Sequence, residues 1–282
     1  MLESIVNPTK KEHGPLKMFF VGLIYASLSL LLVKWFFSQD PVLSKYSGII
    51  VVTFCVIFSM PFIFYIIKKE EQEDERVFGF LSVWEIHKDA IFSFLWLFFG
   101  FIVAFSFWYI FIGDSSLLNA QIETYCRINR PNDISGCIEG YDFSKNTGAS
   151  IKEIRLLSII ENNIYVMIFT LLLSLIFGAG AIFVLAWNAS VISAAIAIFT
   201  DHSIKDIPLG ILRYMIHGFP EIAAYFIAAL AGGIFGVGVL RNGIKSKKFL
   251  HVVENTIMLI FMAILIIILA ALMEVYLTPL FF

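Results

Sequence analysis

The chain carries 282 residues, 59% of them hydrophobic and 15% charged, with a net charge of −2. A soluble domain runs at about 45–50% apolar and about 25% charged, so the composition excludes a cytosolic globular protein and a disordered tail. The charge leaves no basic surface to neutralise a run of phosphates, so no nucleic-acid partner is expected.

The apolar residues fall in long blocks, and about 20 of them in a helix span a hydrocarbon core of about 30 Å. The expected fold class is therefore all-α: a polytopic helical membrane protein whose first partner is the lipid bilayer. Met18–Phe37 and Gly48–Ile67 form a two-span hairpin. The charged run 68–76, which includes Glu70 and Glu71, reads as a solvated cytoplasmic connector. Residues 1–76 are thus expected as an amino-terminal unit and 77–282 as a membrane core. Val77–Lys88 mixes Phe78, Phe80 and Trp84 with Glu85, His87 and Lys88, the pattern of a helix lying in the interface with His87 solvated. Ala90–Ile112 is the third span.

Residues 113–160 form a connecting loop that holds Cys126 and Cys137. In an oxidising exterior these two are disulfide partners; otherwise they are two thiols. Arg130-Pro-Asn-Asp133 and Gly136 read as turns, and Ser150-Ile-Lys-Glu153 is a capping box that starts a helix in water. Cys55, inside a span, reads as packing.

Asn163–Trp187 is the fourth long block. The stretch after it, Asn188–Phe199, has twelve residues and makes a helix of about 18 Å, with Asn188 as its capping turn. Ser203-Ile-Lys-Asp206 is a weaker capping box, opening an amphipathic helix that ends in a turn near Gly218. Pro220 then starts the span Glu221–Leu240. Ile257–Thr278 is the last. No cleavable leader is expected, because the first apolar block starts late and lacks a small-residue cleavage site.

Charge sets the number of crossings. Three basic clusters (Lys10, Lys11 and Lys17; Lys68, Lys69, Arg76 and Lys88; Arg241, Lys245, Lys247 and Lys248) fall on one side only if the short stretch crosses. We therefore expect about seven crossings in the cell membrane, one of them short. The amino terminus is then cytoplasmic, and the carboxyl terminus and loop 113–160 are exterior. Six crossings plus a re-entrant segment is the alternative.

Ionisable groups inside spans are expensive and mark candidate sites. Glu161, Asn162 and Asn163 open the fourth block, Glu221 opens the sixth just after His217, and Glu274 lies near the outer end of the last, followed by Tyr276. Three helices thus place an intramembrane polar cluster at one level. It serves either as a binding site or as structural glue between helices, where each such bond contributes about 0.6 kcal/mol. A second pattern is small residues: Ala228, Gly232, Gly233 and Gly236, with Gly178 and Gly180 at the end of the fourth block. Such faces let backbones approach closely. The expected surface for the first set is the alanine-rich short helix (Ala194, Ala195 and Ala197), with a dimer contact as the alternative.

Signatures of catalysis are missing from the sequence. There is no His-Glu-x-x-His, no Gly-x-Ser-x-Gly and no phosphate-binding glycine loop. No catalytic residue, cofactor or metal site is expected.

The order of these features resembles a known family. Glu161-Asn-Asn163 before Phe177-Gly-Ala-Gly180, then Asn188, then His217-Gly-Phe-Pro-Glu221 is similar to the membrane core of the stage II sporulation protein M family. The ending Met273-Glu-Val-Tyr-Leu-Thr-Pro-Leu280 is similar to that family's Glu-x-Tyr-x-Ser/Thr-Pro. The resemblance covers about Trp84–Phe282. It implies five core crossings and a membrane anchor or assembly factor for wall-degrading partners. Together with the missing catalytic motifs, it makes a non-enzymatic scaffold the expected function. Such a scaffold would be a homo-oligomer (a dimer), with membrane or exterior protein partners. A channel or transporter built on the Glu, Asn and His cluster is the alternative.

Overall fold

An apolar block in a bilayer satisfies its backbone amides only by bonding them within itself, so each block becomes a helix. The computed structural model describes residues 15–74, 80–129, 134–138, 152–177, 182–242 and 247–281. The main helices are α1 (Pro15–Phe36), α2 (Ser47–Asp74), α3 (Phe80–Ile112), α4 (Asn119–Asn129), α5 (Ile134–Ile138), α6 (Lys152–Phe177), α7 (Ile182–Phe199), α8 (Ile207–Asn242) and α9 (Lys247–Leu272). Among the described residues, seven helices are long and apolar enough to cross a membrane, and α7 is the shortest of them.

Helices α3 and α8 are the most buried spans. Phe94, Phe98, Phe101 and Phe105 run down α3, and Phe226 of α8 stacks on Phe94 with ring centroids 5.1 Å apart. On one side α1 lies against α3 where Gly22 meets Gly100; a methyl group on either glycine would strike the other helix's backbone. On the other side α8 is flanked by α6 and α9. Helix α7 packs on α3, and α2 reaches both α7 and α8. The amino-terminal hairpin is thus packed into the same bundle as the rest.

The connections at one end of the bundle are tied together. Lys34 at the end of α1 pairs with Asp114 after α3 at 2.6 Å. Asn119 Nδ2 donates to Lys45 O at 2.8 Å, and Gln121 Nε2 to Gly48 O at 2.9 Å. Tyr109 lies against the His202 ring, and the Tyr125 and Tyr214 hydroxyls meet at 3.1 Å. The turns after α1, α3 and α7 therefore share one end. At this end the Sγ atoms of Cys126 and Cys137 lie 2.08 Å apart, a disulfide joining α4 to α5.

Several elements differ from the sequence reading. The fourth block is two helices: α6 stops at Phe177 and α7 starts at Ile182. The short helix therefore has 18 residues, about 27 Å of rise, enough to run from the far end of α6 to the Tyr109–His202 contact. Asn188 is inside α7, not at a turn; its Nδ2 donates to Val184 O at 2.7 Å, satisfying the amide within the helix. Helix α7 ends instead where Asp201 and His202 take left-handed conformations (φ 48° and 56°) and the His202 amide bonds Ala197 O. Gly218 and Pro220 likewise lie within one continuous 36-residue helix. Proline removes only its own amide, leaving the Ile216 carbonyl without its helical donor, a loss that buried helices tolerate when neighbours support them. Ser203 makes no capping bond, Gly136 is helical, and the expected interfacial helix is continuous with the third span in α3. Gly178, Gly180, Ser150 and the Arg130–Asp133 turn lie outside the described residues.

A buried pair was misread as solvated. Glu70, on the last turns of α2, and His87, on α3, are both fully packed, and His87 Nδ1 and Glu70 Oε2 are 2.8 Å apart. The hydrogen bond between them lets both leave water, which a local charge count cannot reveal.

Candidate intramembrane polar site

Helix α8 carries the site on one face. Tyr214, His217, Glu221 and Tyr225 recur at helical spacing, so they stack in a ladder about 16 Å long. The top rung, Tyr214, touches Tyr125 of the segment after α3. The upper three rungs are half-buried, and the ladder ends at Tyr225, which is fully buried.

Two other elements close on that ladder. Tyr225 Oη donates to Glu221 Oε1 at 2.8 Å. From α6, the buried Asn163 bonds the Glu221 carboxyl with its side chain while its Oδ1 accepts from Asn162 Nδ2 at 3.2 Å. From the carboxyl end, Glu274 sits close enough to Glu221 for their charges to interact, and Arg155 of α6 answers it at 3.6 Å. Glu274 is held on a π-helical turn, Met273–Leu277, that follows α9, the kind of irregularity that often occurs at functional sites. Thr278 then donates to Met273 O at 3.2 Å and meets His217 Nδ1 at 3.1 Å. The hydroxyl thereby joins the carboxyl-terminal turn to α8.

The structure brings together Asn163, His217, Glu221 and Glu274 of the expected cluster. It does not bring in Glu161, Asn162 or Tyr276: all three are exposed, and only Asn162 reaches the site, through Asn163. Lys152 lies over the Tyr276 ring at 5.8 Å, outside the cluster. Sequence reading missed Tyr225 and Arg155, and quoted Thr278 only in the family-like ending, not as a member of the cluster. Tyrosine and threonine are ordinary in spans, so only the four-residue step from Glu221 to Tyr225 could have drawn attention. Among the described residues, no three His, Cys, Asp or Glu side chains converge as metal ligands. The arrangement is one of mutual satisfaction: each carboxylate has a donor on another turn or another helix, and the bonds link α6, α8 and the carboxyl-terminal turn.

The glycine face also has a different partner from the one expected. Gly232 and Gly236 sit against the α6 backbone at Leu171 and Leu175, not against α7, and a methyl group at Gly232 would strike Leu171 O. Ala228 and Gly233 are buried in the same face. Beside them Ser174 Oγ donates to Ala229 O at 2.6 Å. Glycine is required here because α6 and α8 must approach closely for Asn163 to reach Glu221.

The seven spans, the closed intramembrane cluster and the disulfide-braced segment define a polytopic helical membrane protein. The family model for stage II sporulation protein M matches residues 77–279, and the chain belongs to that family. The match begins after α2, so α1 and α2 precede the family core. No curated protein and no solved structure matches the chain.

Proposed function

We propose that this protein is a non-enzymatic membrane scaffold that organises partner proteins, in the cell membrane, with a cytoplasmic amino end and an exterior carboxyl end. The observation that carries the reading is the polar cluster, in which Glu221 bonds Tyr225 and Asn163 while Glu274 pairs with Arg155. A cluster spent on its own partners fixes three helices and supports a rigid platform. Family membership and the braced segment on the bundle end support the same reading. That end carries the turns after α1, α3 and α7, and the basic residues Lys17, Lys69 and Lys247 belong to the opposite connections, which supports a cytoplasmic placement of those. Partners dock on the exterior segment around α4.

The test is co-purification from native membranes in mild detergent, comparing wild type with Cys126→Ser/Cys137→Ser. A partner held by wild type and released by the double variant is expected; a particle without partners in both forms refutes the scaffold.

A transporter is the second reading, favoured by the proximity of Glu221 to Glu274 beside a π-helical turn. It requires that Glu221→Gln or Glu274→Gln change a solute or proton flux in reconstituted vesicles. The scaffold reading expects no flux in any of the three proteins.

A further inference from the structure

Most outward faces of this bundle suit lipid: α1 shows Phe20, Ile24 and Leu28, and α9 shows Phe261, Leu265 and Leu269. Helix α6 is the least buried of the seven spans, and its outward face is different. Below Leu157 come Ser158, Glu161 and Asn162, all exposed, and then Tyr165, Phe169, Leu172 and Ile176. Asn163, the neighbour of Asn162, reaches Glu221, and Glu221 lies two turns inward of Tyr214, the rung touching the segment after α3. Glu161 and Asn162 therefore face outward about 10 Å below that contact. Among the described residues, Asn162 donates one amide hydrogen to Asn163, and neither the Glu161 carboxylate nor the Asn162 Oδ1 carbonyl has a hydrogen-bonding partner.

Polar groups at such a depth call for hydrogen-bonding partners. We propose that α6 pairs with α6 of a second copy about a two-fold axis along the membrane normal, with the seam at Ser158, Asn162, Tyr165, Phe169, Leu172 and Ile176. A second copy is the occupant for three reasons. Under a two-fold axis a residue at the seam meets its own symmetry mate, and an asparagine amide, donor and acceptor at once, is complementary to itself. The second copy's Asn162 also has an amide hydrogen for Glu161. The steps along the seam alternate four and three residues, the spacing of a left-handed helix pair, in which one core asparagine sets register and favours two strands. Finally, the glycine face of α8, the other surface suited to close pairing, is already filled by α6. The dimer goes beyond the scaffold reading and does not depend on it.

The experiment uses the full chain in phosphatidylcholine vesicles, with single-molecule photobleaching across protein-to-lipid ratios. Two-step bleaching is expected, and Asn162→Leu weakens the dimer by about 3- to 20-fold, the range for one interhelical hydrogen bond in a membrane. In a Cys55→Ala background, Tyr165→Cys and Phe169→Cys cross-link on oxidation while Phe261→Cys on α9 does not. Melting of Asn162→Leu alongside wild type separates lost pairing from lost folding. Monomers at every ratio, cross-links through α9 instead of α6, or a folded Asn162→Leu dimer of unchanged strength would each overturn the proposal.

Discussion

Glu70 and His87 are separated by sixteen residues of chain, yet they meet in the interior at 2.8 Å, each buried almost completely. Removing one member breaks this buried hydrogen bond, which costs about 1–3 kcal/mol. Glu70→Ala should therefore lower the denaturation free energy in detergent by about that much, and adding His87→Ala should cost less than the sum of the single changes. Asp114 shows the opposite environment. Burial pushes its carboxyl up, but the Lys34 ammonium and the hydroxyl and amide of Ser116 outweigh that and hold it below the ordinary carboxylate range. A carboxyl lowered in the folded state contributes stability that is present above its unfolded pKa, about 3.9, and is lost as pH falls through the folded value. Thermal melts between pH 5 and pH 2 should show this loss in wild type and a smaller one in Asp114→Asn. Within the site, Glu221 and Glu274 were legible because a carboxylate stands out in an apolar block. Their partners Tyr225, Arg155 and Thr278 were not, because pairing across helices leaves no trace in linear order.

Helices that touch backbone to backbone are sensitive to a single carbon. Gly232→Val forces α6 away from α8 and pulls Ser174 from Ala229 O, so it should destabilise by about 1–3 kcal/mol or more. Gly218→Ala makes the contrasting case. A methyl group there would meet only the flexible Met215 tip, at 3.2 Å, and alanine is the better helix former by about 0.8–1.0 kcal/mol. Melting curves should show Gly218→Ala neutral to slightly stabilising, whereas a turn at Gly218 would make it destabilising. The apolar blocks were legible as helices, since a bilayer leaves them no other regular structure. Their ends were less so. Gly218 and Pro220 look like a break, but α8 continues through them because α6 and α9 pack on either side; α6 as described runs to Phe177 and α7 from Ile182, within what reads as a single apolar run.

An odd number of crossings puts the two chain ends on opposite sides. With α7 reaching the end that holds the segment after α3, seven spans alternate through the bundle. A reporter fused after Phe282 should be active only in the exterior compartment, and one fused ahead of Met1 only in the cytoplasm. Both reporters on the same side would mean that α7 turns back. The same alternation places the polar ladder of α8 beneath the segment that carries α4, which thus sits above a cluster tying α6, α8 and the carboxyl-terminal turn together.

Composition alone determined the solvent, the helical class and the spans, because a hydrocarbon core admits so few solutions for the backbone. Basic residues pointed to an odd number of crossings, and cysteine placement made Cys126 and Cys137 the candidate pair. Only the tertiary structure decided which polar residues meet. Asn163 turns inward and Asn162, one position along, turns outward, because successive helical residues differ by about 100° in direction. That angle, set by how α6 packs on α8, separates a member of the intramembrane cluster from a residue on the outward face.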